Sequence, residues 1–253
     1  VQAGMSQIPL TANGDLVWAK GMGGTDNESA LSITTDISRN IYTTGNFKGT
    51  VDFDPGIGIT NLTASGVINL TDGFVAKYSE NGALIWAKQI AGTDGDSGRD
   101  VALDTNGNVY VTGYFASTVD FDPGAGIFNI TAAGVSGTRD IFILKLDQDG
   151  DFLWAKNMGG TSYDEGYKIK LDNTGNIYVL ATFYETADHD PNLSTFNLTS
   201  MGMGDLSITK LDSSGNFVWA KGFGGTGDDY ANSFIIGPTG NLYITGEFEN
   251  TVD

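Results

Sequence analysis

The most regular patterning of the chain lies between residues 99 and 160. RDVALD (99–104) alternates polar and apolar positions over a short stretch, as a half-buried strand does. TNGN follows, with glycine and asparagine where a tight turn needs positive φ. VYVTGYF (109–115) is dense in β-branched and aromatic residues and reads as a second strand. After the excursion STVDFDPGAGIFNITAAG comes DIFILKLD (140–147), another alternating strand. The turn QDGD then leads into FLWAKNMGG (152–160), the fourth. No apolar stripe of helical period and length interrupts this pattern anywhere, so the sequence predicts an all-β fold of four-stranded antiparallel meanders.

The pattern recurs. Trp18, Trp86, Trp154 and Trp219 each open a WAK tripeptide, at intervals of 68, 68 and 65 residues, and Tyr42, Tyr110, Tyr178 and Tyr243 keep the same intervals. Phe47, Phe115, Phe183 and Phe248 do so too, as do Asp52, Asp120, Asp188 and Asp253. A fixed period of this length marks one supersecondary unit copied four times, at about residues 5–72, 73–140, 141–205 and 206–253. A four-stranded meander repeated in this way predicts a β-propeller blade, and the whole chain, 1–253, reads as a single propeller domain. DIFILKLDQDGDFLWAKNMGG and LDTNGNVYVTGYF resemble the SBBP family, the bacterial β-propeller repeat, and the VDFDPG insert is similar to a subgroup found in large secreted bacterial proteins. The resemblance implies a propeller, a secreted or cell-surface location and a binding or structural role. It carries no catalytic motif.

The two ends of the chain look complementary. MSQIPL aligns with strand three and TANGDLVWAKGMGG with strand four, whereas the C-terminus supplies strand one, ANSFIIG, and strand two, NLYITGEF. The expectation is four blades of four antiparallel strands, the last closed by the N-terminal strands, which removes open sheet edges. The competing expectation is a fragment of a longer array, or head-to-tail exchange of half-blades into multimers or a filament.

Composition narrows the function. With 31 acidic residues against 13 basic ones, the net charge of −18 disfavours phosphate backbones and anionic membranes and favours cations. No apolar run approaches a membrane span, so no membrane insertion is expected. The absence of cysteine removes disulfides, thiolate metal sites and cysteine nucleophiles together. The VQAGMSQIPL terminus shows no basic region followed by an apolar stretch, the mark of a signal peptide.

Chemistry concentrates in the loops of one propeller face. GGTDNES, GTDGDSG, GGTSYDEG and GGTGDDY each carry two acids, and together they predict a negative rim. The inserts carry D-x-D-P, as Asp52/Asp54, Asp120/Asp122 and Asp188/Asp190. Paired carboxylates before proline suit calcium, which takes six to eight oxygen ligands. Aspartate capping its own turn fits the same pattern without metal. DQDGD (147–151) sits at a hairpin position filled elsewhere by SENGA and reads as a turn. The glycine clusters lack the lysine and helix of a phosphate loop. His189, the only histidine, cannot build a multi-histidine zinc site. The sequons at Asn61, Asn69, Asn129 and Asn197 lie in the inserts and fit exposed loops.

Near-equivalent copies suit binding surfaces better than a single asymmetric catalytic centre. The leading expectation is therefore a non-enzymatic secreted or cell-surface module, structural, adhesive or self-assembling, with protein or glycan partners and a possible calcium requirement. A glycan-binding propeller ranks second. A glycoside hydrolase or lyase using paired carboxylates ranks third, because the acids follow the repeat and no acid–nucleophile pair stands out.

Overall fold

The structure, a computed structural model, describes residues 5–7, 10–65 and 70–250. The sequon at Asn69 and the repeat aspartate Asp253 lie outside these residues. The chain opens with β1 (Met5–Gln7) and β2 (Lys20–Gly24). The first full unit holds β3 (Glu28–Thr35), β4 (Ile41–Phe47), the short β5 (Thr50–Asp52) and β6 (Asn61–Thr63), then β7 (Asp72–Tyr78) and β8 (Leu84–Gly92). The second repeats it as β9 (Ser97–Leu103), β10 (Val109–Phe115), β11 (Thr118–Asp120), β12 (Asn129–Thr131), β13 (Asp140–Leu146) and β14 (Phe152–Gly160). In the third, β15 (Glu165–Leu171) precedes β16 (Ile177–Asp188) and β17 (Asn197–Leu211), which absorb the insert strands, and β18 (Phe217–Phe223). Finally come β19 (Tyr230–Ile236) and β20 (Leu242–Glu247). No helix occurs among the described residues.

Each full unit is the meander that the alternation predicts. In the second, β9 pairs β10, β10 pairs β13 and β13 pairs β14, all antiparallel. The hairpin turns are set by glycines at positive φ, Gly107 at 82° and Gly150 at 81°. At the inner hairpins an aspartate organises the turn. Asp104 Oδ1 accepts the N–H groups of Asn106 and Asn108, and Oδ2 accepts the Asn108 amide and the Tyr110 hydroxyl. Asp36 and Asp172 repeat the device, which Gly237 in the fourth unit cannot.

First strands stand side by side in chain order, β3 against β9, β9 against β15 and β15 against β19. β3, β9 and β15 line a shallow polar channel of about 360 Å³. Between units, Trp18, Trp86 and Trp154 each lie under the outer hairpin of the next unit. Trp18 Nε1 donates to the Glu80 carbonyl at 3.1 Å and Trp86 Nε1 to that of Gln148 at 3.3 Å. A side chain on Gly82 or Gly150 would strike these indoles. The cross-strand tyrosine packs edge-on against the tryptophan, 6.1 Å for Tyr42–Trp86 and for Tyr110–Trp154, with Lys77 and Lys145 over the tyrosine rings. The WAK motif is thus packing between blades.

The inserts add a joint absent from the sequence reading. β5 and β6 pair with each other, and β5 also pairs with β2 of the preceding unit. β11 bonds to β8 and the far end of β16 to β14 in the same way. Val119 and Phe121 of the insert enter the core with Phe115 and Phe142, as Val51 and Phe53 do with Phe47 and Phe74. Close backbone approach explains the final glycine of β2 and of β14, since a Cβ on Gly24 or Gly160 would collide with the carbonyl of Thr50 or Thr186.

The terminal pairing expected from the sequence is not formed among the described residues. β19 and β20 make a two-stranded sheet of their own, and β1 is the edge of the sheet β1-β2-β5-β6. No packing comparable to the other first-strand neighbours joins β19 back to β3. The N-terminal strands pair instead with the first full unit, through the same joint that links successive units.

Candidate functional site

The six D-x-D-P aspartates lie where the sequence puts them, at the start of each insert, and their carboxylates serve the backbone. Asp52 Oδ1 accepts the N–H groups of Asp54 and Thr60, while Asp54 Oδ1 accepts that of Gly56. Asp120 and Asp122 make the same bonds to Asp122, Phe128 and Gly124. Asp188 and Asp190 do so to Asp190, Phe196 and Asn192. Among the described residues no three acidic or histidine side chains converge as a metal group would require. His189 replaces the insert phenylalanine of the other copies. It is fully buried, edge-on to Phe183 at 5.2 Å, with Nδ1 3.1 Å from the Thr209 hydroxyl, and burial pushes its pKa down to about 4. It is a neutral core residue. DQDGD is a turn too, with Asp147 Oδ1 accepting the N–H groups of Asp149 and Asp151.

The predicted acidic rim is only half there. One acid of each loop faces outward or partly so, but Glu28, Asp96, Asp164 and Asp229 are buried. These inward acids clamp the loop to the end of the second strand. Asp164 accepts the Gly160 and Tyr184 N–H groups, Asp229 those of Gly225 and Glu249, and Asp96 that of Ala116. A second buried acid opens each third strand: Asp72, Asp140 and Asp205. Burial pushes the Asp96 carboxyl up to about 8, Asp164 to about 7 and Asp140 to about 6, and raises Asp72 and Asp205 as well. Asp96 is raised further by Asp72 and Asp94, and Asp164 by Asp140 and Glu185. A buried oxygen on each of Asp72, Asp96, Asp140 and Asp205 lacks a partner. Such carboxyls resemble a tuned general acid in pKa alone, for they are recurrent, enclosed and committed to backbone bonds.

One cluster breaks the repeat. On the loop face between the second and third units, Arg99 and Arg139 converge on Glu165, Arg99 at 3.1 Å. Tyr114 lies under both guanidiniums, 5.2 Å from Arg99 and 4.2 Å from Arg139, with Tyr167 and Tyr163 flanking. Aligned copies hold Leu31, Tyr167 and Asn232 at the Arg99 position, and Thr71 and Gly204 at that of Arg139. Two of the three arginines of the chain meet here on a strongly acidic background. The sequence reading passed over this cluster because it followed what repeats, and the departures from the repeat were the available signal.

Meander, fixed period and fitted neighbouring units define a β-propeller repeat protein. Residues 85–114, from β8 through β10, match the SBBP family model, described as a beta-propeller repeat, and the chain carries a repeat of that family. Over 194 residues, 67% of this chain, it is 28% identical to an uncharacterized WD repeat-containing protein of Acanthamoeba polyphaga mimivirus, covering 14% of that protein. It is also 25% identical over 165 residues, 65% of this chain, to Regulatory protein FlaEY of Caulobacter vibrioides, covering 17% of it. The chain thus matches about one-sixth or less of the length of these curated relatives.

Proposed function

We propose that the chain is a non-enzymatic binding and structural module that works outside the cell or on its surface, meeting a protein partner with its loop face. The observation that carries this reading is the use of the acids. All four inward loop acids are buried, and hydrogen bonds commit three of them to backbone N–H groups. The one singular feature of the loop face is a cluster of arginine and tyrosine, residue types enriched where proteins bind each other. The acidic surface suits solubility at high concentration. The test is binding of the purified chain to intact cells of the producing organism, with Tyr163→Ala and Arg139→Ala compared. Loss of binding in both variants with unchanged melting supports the reading; equal binding by both refutes it.

A glycan-binding version draws on one observation: Tyr163 is 49% exposed beside Arg139, an open ring on which a sugar can stack. A glycan array probed with the chain and with Tyr163→Ala, each with and without calcium, separates the two readings.

A further inference from the structure

We propose that the Arg99–Arg139 pair takes a carboxylate from the protein partner, a lone acidic side chain received beside Glu165. The proposal rests on the loop-face reading above and names the chemistry of that contact.

The cluster is short of negative charge. Glu165 spends one oxygen on each arginine, Oε2 on Nη2 of Arg99 and Oε1 on Nη1 of Arg139. Among the described residues no other carboxylate lies within ion-pair distance of either guanidinium. Two cations against one anion leave one positive charge over. Donors are in excess too, because a guanidinium carries five N–H groups in a planar fork. Arg99 Nε, although enclosed, has no acceptor.

The excess faces outward. The Glu165 side chain is 14% exposed, against 30% for Arg99 and 35% for Arg139, so the guanidiniums lie nearer to solvent than the carboxylate. They are also held in place. Tyr114 lies under both, and the Arg139 main chain is tied to the next unit through both its polar groups. Its N–H donates to the Ser162 carbonyl at 3.2 Å, and its carbonyl accepts the Asp164 N–H at 2.9 Å. Arg99 stands in β9, Glu165 opens β15, and Arg139 comes directly before β13. Strands of two units thus fix the donors before a ligand arrives, which lowers the entropy lost on binding. Tyr163, half exposed beside Arg139, supplies a flat apolar neighbour.

Charge decides what fits. A carboxylate neutralises the surplus, and its pairing with guanidinium is strong and geometrically selective. A dianionic phosphate exceeds the surplus and meets repulsion from a chain of net charge −18. An acid-rich segment is repelled in the same way. The partner group is therefore a single aspartate or glutamate with an apolar or aromatic neighbour for Tyr163. The aligned positions of the other units carry no second arginine pair, so each chain offers one such site.

The test follows the arginine side-chain signals of the isotope-labelled chain by NMR at constant ionic strength. The probes are acetyl-tyrosyl-aspartyl amide and its asparaginyl counterpart. Saturable shifts at Arg99 and Arg139 are expected with the aspartyl peptide, at a Kd of about 1–10 mM for so small a contact. The asparaginyl peptide should bind at least about tenfold more weakly. Glu165→Gln removes the resident charge and should tighten aspartyl binding about threefold or more. An arginine pair that served only to join the units would not give that gain. The two peptides are compared on one unchanged protein, so the result stands even where a variant folds poorly. No shift at the solubility limit of the aspartyl peptide, or equal shifts with both peptides, overturns the proposal. Tighter binding of the phosphoseryl counterpart, or of methyl glucuronide as an acidic sugar, overturns it as well. Cell binding that Arg139→Ala abolishes, with no response to the aspartyl peptide, overturns the carboxylate contact and leaves the partner reading standing.

Discussion

Neutralising one buried carboxyl should weaken an unusual dependence of stability on pH. Asp96 is fully buried, with Oδ1 on the Ala116 N–H and Oδ2 without a partner, and burial lifts its pKa from 3.8 to about 8. In the unfolded chain it ionises near its ordinary value. Between those two values the native state holds the extra proton, so this contribution is complete below about pH 3.8 and is lost as pH rises towards 8. About four units at 1.36 kcal/mol each is on the order of 5 kcal/mol, comparable with the ~5–15 kcal/mol that holds a whole domain together. Asp164 and Asp140 act in the same direction over shorter windows, ending near 7 and 6. On the acid side, burial also raises Asp172, but hydrogen bonds from Asn176 and Thr174 outweigh it and hold the carboxyl below its ordinary range. That contribution is lost below about pH 4, so stability should peak near pH 4–5. Asp96→Asn keeps an acceptor for Ala116 and removes the charge. Urea unfolding at pH 5 and 8.5, at constant ionic strength, should show wild type losing several kcal/mol and the variant losing about 3–5 kcal/mol less. Identical pH slopes for both proteins, or a wild type that gains stability towards pH 8.5, would refute the reasoning.

Other perturbations test separate joints. Gly150→Ala is expected to cost about 1–3 kcal/mol in thermal melts, because it puts a Cβ at φ 81° against Trp86 and Lys88. Asp104→Ala removes the acceptor for two backbone N–H groups, an asparagine amide and a tyrosine hydroxyl, and should lower stability by about 2 kcal/mol. Asp120→Ala opens two backbone bonds and should cost about 1–2 kcal/mol equally in calcium and in chelator. A loss confined to calcium-loaded protein would instead put this residue in a metal site.

Strand alternation and turn residues were legible because they act locally: VYVTGYF, TNGN and DIFILKLD fall on β10, the turn before it and β13. The recurrence of WAK at one strand position was legible, and its packing between units came with the structure. What escaped was non-local. TVD at 50–52 and 118–120 is too short to announce a strand, and its partner lies in the unit before it. Loop acids read as a rim because charge normally seeks water, whereas the N–H groups that draw Asp96 and Asp164 inward lie 20 residues further along the chain. The Arg99–Arg139–Glu165 cluster was hidden for the opposite reason, being present once.

The backward reach of each insert bears on how such a chain lengthens. Because every hairpin fastens to its predecessor, copying one module of 68 residues in the gene delivers a finished seam along with the new blade. Growth by duplication then calls for no fresh interface, and the number of blades is free to drift while each junction stays the same.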